Sequence, residues 1–104
     1  MEKPTIKIED KICAIKELKG KDWRILGEFA ELAPSYVEAD FIEKHAAFVA
    51  KFYDVTAEEI LDKMPLEEIL PASFATRNYL LNTLTEKIAV IEKNAEVDKA
   101  EQSS

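Results

Sequence analysis

Between Phe41 and Leu61 the chain spells out a helix, a tight connector and a second helix, and the remaining residues have to fold around them. Phe41, Phe48 and Phe52 recur at helical spacing and predict one aromatic stripe, flanked by Ile42, His45, Val49 and Tyr53. Asp54-Val55 is the connector. Thr56 and Glu59 then form a capping box: the threonine oxygen takes the free amide three residues on, and the glutamate reaches back. The second helix carries Ile60 and Leu61 inward. The stretch holds an apolar seam and no evident chemistry, which points to binding rather than catalysis.

The segments on either side predict a mostly α, small helical domain of about four helices with an N-terminal β-hairpin, α+β by strict counting. Residues 5–18 alternate loosely: Ile6 and Ile8, a polar turn at Glu9-Asp10-Lys11, then Ile12, Cys13, Ile15 and Leu18. Two strands alone are marginal in water, so this hairpin must lie on the helices or add to strands of another chain. Asp22 reads as the N-cap of a helix from Trp23 to Ala33, which Pro34 ends. Asp40 reads as the cap of the Phe41 helix. Pro65 suits a first helical position, and Pro71 leaves two options, a separate turn over 66–70 or one kinked helix from about Pro65. The favoured choice is a main helix from about Ala72 to Asn94. Its major stripe is Phe74, Leu80, Leu81, Leu84, Ile88 and Ile91. After Asn94 the periodicity fades, so residues 1–94 are expected to form a single domain and 95–104 a flexible C-terminal tail.

A weaker second stripe on the last helix comprises Tyr79, Val90, Ala75 and Ala89. Tyr79 and Val90 fall about 20° apart at 100° per residue. These four are the candidate partner or self-association residues, and Tyr79→Ala is expected to weaken association while sparing the fold.

The chain has 104 residues and a net charge of −7. Most of the surplus lies in 54–70, where Asp54, Glu58, Glu59, Asp62, Glu67 and Glu68 face only Lys63. Such a balance offers no electrostatic footprint for a phosphate backbone, so no nucleic acid partner is expected. No apolar run approaches the ~20 residues that span a bilayer. Met1-Glu2-Lys3-Pro4-Thr5 leads into no signal-peptide core, so no membrane partner and a cytoplasmic location are expected. Cys13 is the single cysteine, which excludes an internal disulfide and reads as a buried thiol.

The chemical candidates are few, and no catalytic, cofactor-binding or metal residue is assigned. His45 is the only histidine, and its neighbours one turn away are apolar, so it reads as structural. Ser35, Ser73 and Cys13 lack a sequence context that would activate a nucleophile. Glu58, Glu59, Asp62, Glu67 and Glu68 match no calcium-loop spacing and read as a solvated face. Gly20 and Gly27, the only glycines, make no phosphate-cradling loop. An acyl carrier protein would need Asp-Ser-Leu at a helix start, whereas Ser35 follows Pro34 and Ser73 follows Ala72.

Three pieces of the chain resemble the tail assembly chaperones of siphovirus-type phages and prophages of Gram-positive hosts. They are Ile15-Lys16-Glu17-Leu18-Lys19-Gly20-Lys21-Asp22-Trp23, the run Phe48-Val49-Ala50-Lys51-Phe52-Tyr53-Asp54-Val55-Thr56, and the acidic continuation from Glu58 to Ile69. The resemblance implies a non-enzymatic protein of the bacterial host's cytoplasm that is left out of the virion. It would bind the tape measure protein, promote tail tube assembly and form a homo-oligomer through its helical domain. It also implies a longer form, made by ribosomal frameshift, that meets the tail tube protein. Glu92-Lys93-Asn94 can be encoded GAA-AAA-AAT, which contains the slippery form A-AAA-AAT. The alternative from the residues alone is a small acidic helical adaptor or regulatory protein with a single protein partner.

Overall fold

The computed structural model describes residues 3–102, with side chains described through Glu86 and at Ile88. Its elements run β1 (Thr5–Ile8), β2 (Lys11–Ala14), α1 (Asp22–Leu32), α2 (Phe41–Ala50), α3 (Ala57–Lys63) and α4 (Leu66–Gln102). The expected architecture, mostly helical with an N-terminal hairpin, is the one observed.

β1 and β2 pair antiparallel with Ile6 opposite Cys13 and Ile8 opposite Lys11. The turn is therefore two residues, Glu9 and Asp10, one fewer than the sequence reading allowed. Glu9 takes φ 55°, the left-handed value that a two-residue hairpin demands at its first turn position. One face of the hairpin buries Ile6, Ile8, Cys13 and Ile15, while Ile12 points to solvent. Of the two options for the hairpin, the chain takes the first and lies on its own helices. The Lys16 amide donates to the Phe52 carbonyl at 2.8 Å, pinning the end of β2 to the turn after α2.

Asp22 does not cap α1. The cap position is Lys21, without a side-chain cap bond, and Asp22 is the first helical residue. Its carboxylate, 1% exposed, turns back instead. Oδ2 accepts from the Lys19 amide at 2.7 Å, and Oδ1 lies 3.1 Å from Lys16 Nζ. Burial alone would raise the Asp22 pKa, but the Lys19 amide and the Lys16 ammonium outweigh it and hold the carboxyl below its ordinary value. α1 stops at Leu32 because Ala33 adopts a left-handed conformation ahead of Pro34. The following loop is clipped by Glu38, which accepts from the Ser35 amide and from Lys44 Nζ, both at 2.7 Å.

Asp40 does occupy the cap position of α2, but its side chain makes no cap bond. The aromatic seam forms as expected: Phe48, Phe52, Tyr53, Val49 and Ala46 are buried. The Phe29 ring of α1 stacks on Phe48 at 4.3 Å between centroids, and Phe48 meets Phe52 edge-on at 5.2 Å. Thr56 and Glu59 make both bonds of the capping box that opens α3.

The last helix departs most from expectation. α4 begins at Leu66 rather than Ala72 and passes through Pro71 without a break. It also continues beyond Asn94 to Gln102, so the fading periodicity there does not end the helix. Pro71 lacks the amide that would donate to Glu67, yet Ile69 on one side and Ser73 on the other are buried against the same core. At 37 residues α4 is roughly 55 Å long at 1.5 Å per residue, nearly the full 62 Å of the molecule.

Candidate partner-binding surface

α4 carries two parallel rows of residues offset by one position, which is about 100° around the helix. The first row, Ile69, Ser73, Thr76 and Leu80, is buried. Small hydroxyl residues sit in its middle because the row crosses the bulky seam of α2, and two members of that seam need hydrogen-bond partners. His45 Nδ1 and Ser73 Oγ share a hydrogen bond of 2.7 Å, its direction set by the imidazole tautomer. The Tyr53 hydroxyl meets Thr76 Oγ1 at 3.0 Å, and Thr76 Oγ1 also donates to the Ala72 carbonyl at 2.7 Å. Tyr79, placed by sequence on a partner face, is half-buried against this core. Tyr79→Ala would thus remove a core contact as well as any partner contact. Ala75 is exposed, beside Ile6, Met64, Pro71 and Ala72. Ala89 and Val90 lie outside the described side chains.

The second row starts at Phe74 and continues through Leu81, Leu84 and Ile88, which are 47%, 39%, 43% and 46% exposed. The spacing groups these residues with Leu80 in the major stripe, the face expected to pack inward. Only Leu80 does so.

Where the second row meets the body it opens into a groove of about 580 Å³ between α1, α2 and α4. Leu26, Phe29, Ala30, Phe41 and Phe74 give it apolar walls, and Tyr36 and Arg77 stand at the wall as polar-tipped side chains. The Arg77 guanidinium lies 5.9 Å from the Phe74 ring centroid. The His45–Ser73 pair also lines this groove. The His45 ring sits edge-on to Phe41, Phe29 and Phe74, at 4.7, 5.1 and 6.0 Å between centroids. Burial depresses the His45 pKa below its ordinary 6.5, keeping the imidazole neutral. A serine and a histidine in hydrogen-bond contact invite a nucleophilic reading. A working pair, however, turns the second ring nitrogen to an orienting acid, whereas aromatic edges surround this ring. The pair is a satisfied polar contact inside an apolar wall.

The groove is not visible in the sequence because its walls come from three helices and the loop between α1 and α2. A second, shallower apolar hollow of about 400 Å³ lies between Trp23, Leu18 and the Leu80–Leu84 segment of α4. Among the described residues, no group of three or more His, Cys, Asp or Glu side chains is placed to hold a metal ion, and no helix is long and apolar enough to cross a membrane. No protein-family model, curated protein or solved structure matches the chain.

Proposed function

We propose that the protein is a tail assembly chaperone of the siphovirus type, a non-enzymatic holder of apolar helical segments of a tape measure protein in the bacterial cytoplasm. The observation that carries this reading is the open groove walled by Leu26, Phe29, Phe41 and Phe74, set on a chain with net charge −7. A protein that keeps a long, aggregation-prone helix soluble needs both parts. An exposed apolar surface takes the partner's apolar face. A strong surplus of one charge keeps the complex dispersed. The surplus here sits on α3 and the first turn of α4, with Glu58, Asp62, Glu67 and Glu68 exposed. The wording of the β2–α1, α2 and α3–α4 segments, which resembles that family, supports the same reading. A longer form, if made by a −1 slip at Glu92–Asn94, would append its new sequence to a helix still in progress, since α4 reaches Gln102. Such an extension is the natural route to the tail tube protein.

Co-expression tests this directly. Together with a tape measure protein, the chain is expected to raise that protein's soluble fraction and to co-purify with it. Phe74→Glu, a groove residue already half in solvent, should abolish both effects while leaving the thermal unfolding of the chaperone unchanged. An insoluble tape measure protein and no complex would favour instead an adaptor with a single, different partner.

A further inference from the structure

The groove between α1, α2 and α4 differs in charge from the rest of the chain. Arg77 is the one formally charged residue in its lining, in a protein whose total is −7. The acids of α3 and of the first turn of α4, which hold most of the surplus, are not part of that lining. Lys16, Lys19 and Lys44 each reach a carboxylate of the same chain, at 3.1, 3.2 and 2.7 Å. Arg77 pairs with no acid among the described residues. Its exposed guanidinium instead lies over the Phe74 ring, three residues back on the same helix.

A second donor reaches the same space. Ser73 is 1% exposed, and among the described residues His45 Nδ1 is the only acceptor its hydroxyl meets. The serine proton therefore goes to Nδ1, and the imidazole carries its own proton on Nε2. Nε2 makes no hydrogen bond among the described residues, yet it is not one of the side-chain atoms sealed from solvent. The ring lines the groove, so this N–H opens into it although His45 as a whole is only 4% exposed. An occupant made only of hydrocarbon would cover Nε2 and strip water from Arg77 without replacing either contact. An occupant that brings acceptor oxygens and a negative charge satisfies both.

We propose that the groove selects an apolar helical segment bearing a carboxylate beside its apolar anchors, the carboxylate pairing with Arg77. This selection rests on the groove being the partner-binding surface proposed above. The planar guanidinium offers a fork that a carboxylate meets with two parallel bonds, and the Phe74 ring holds that fork before the partner arrives. The anchors fill the space between Leu26, Phe29 and Phe41. The acidic surplus elsewhere opposes such a partner only weakly. Glu68, the nearest of those acids along α4, stands roughly 13 Å from Arg77 at 1.5 Å per residue. Charges that far apart at the surface are largely screened at physiological salt, where the Debye length is about 8 Å.

Fluorescence anisotropy with three labelled peptides tests the selection. Each has about sixteen residues, capped ends and an alanine-rich helical sequence with leucine on three successive turns of one face. They differ at one position beside the middle leucine, which is glutamate, glutamine or lysine. At physiological salt the glutamate peptide should bind the full chain about tenfold more tightly than the glutamine peptide, with the lysine peptide weakest. Arg77→Glu should reverse that order and leave thermal unfolding unchanged, because the side chain is exposed. Phe74→Glu should abolish binding of all three. Equal affinities would overturn the selection and leave a groove that takes any apolar helix. A preference for glutamate that survives Arg77→Glu, or binding that survives Phe74→Glu, would overturn it by placing the contact elsewhere. Binding of none of the peptides would overturn it as well, and co-expression, which presupposes no carboxylate, then decides separately whether the groove holds a partner.

Discussion

Two stretches of the same helix meet opposite fates. From Ile69 to Leu80, α4 gives the core a row in which two of four members are hydroxyl residues, and all four are buried. From Leu81 to Ile88 its row is purely aliphatic, and every member is substantially exposed. Hydrophobicity therefore does not decide which row of this helix is core. The opposing surface does. Against the seam of α2 there is room only for small side chains, and His45 and Tyr53 reward a hydroxyl with a hydrogen bond. Beyond Leu80 the helix faces only the open hollow beside Trp23 and Leu18, which leaves Leu81 and Leu84 substantially exposed.

The largest contrast should come from cutting one residue out of each stretch. Ile69→Ala opens a cavity in a fully packed site and is expected to cost about 2–5 kcal/mol in urea unfolding. Leu84→Ala should stay within about 0.5 kcal/mol of the parent. Comparable losses at both sites would mean that the distal row is supported within the monomer, and the distinction between the stretches would fall.

That contrast also explains what was legible beforehand. The hairpin, the aromatic seam of α2, the Thr56 capping box and the break at Pro34 are each dictated by residues close together in sequence, and each is present. The core row of α4 was not legible, because Ser73 and Thr76 read as polar and their neighbours Phe74 and Leu81 read as core. Only the position of α2 reverses that assignment, and this is a property of the tertiary fold. Asp22 leaves the cap position, and Asp40 holds it without a cap bond, for a related reason. Their side chains had other uses on offer: Asp22 a lysine and an amide behind it, Asp40 a place 3.6 Å from Lys44 Nζ. The groove was hidden for the same reason as the core row, being assembled from three separate helices and the loop between α1 and α2.

Next in size is the hydroxyl row itself. Ser73→Ala leaves His45 Nδ1 buried without its partner and is expected to cost about 1–3 kcal/mol. Tyr53→Phe should cost less, because Thr76 keeps its bond to the Ala72 carbonyl. If Ser73→Ala proved neutral, the row would be core by size alone and its hydrogen bonds incidental.

A smaller effect separates the stretches by pH. His45 is held neutral in the fold, with its pKa depressed by burial, while in the unfolded chain it titrates near 6.5. Below that value the unfolded state takes up a proton that the folded state refuses, so stability is full above it and declines as pH falls toward the lower folded value. Urea midpoints are expected to drop between about pH 7 and about pH 5.5, and His45→Phe should flatten that part of the profile. The distal row contains no histidine, so Leu84→Ala should leave that pH profile unchanged. A profile altered by Leu84→Ala would couple the stretches that the fold keeps apart.

Pro71 offers the finest test, because it stands just before the point where the core row meets α2. In the interior of a helix proline is about 3 kcal/mol worse than alanine, chiefly through the missing amide and the clash with the preceding turn. Here the loss is softened by nearness to the helix start, and it is offset by the ~0.4–1 kcal/mol that proline gains by stiffening the unfolded chain. On propensity alone Pro71→Ala should stabilise the protein by about 1 kcal/mol. The opposite sign would carry more information. If Pro71 sets the path by which Ser73 and Thr76 reach His45 and Tyr53, alanine would draw the helix off that path and lower the urea midpoint, most strongly where His45 must stay neutral. A gain would make the proline a tolerated interruption in a helix aligned by Ile69, Ser73, Thr76 and Leu80. A loss would make it the residue that aims that row at the seam.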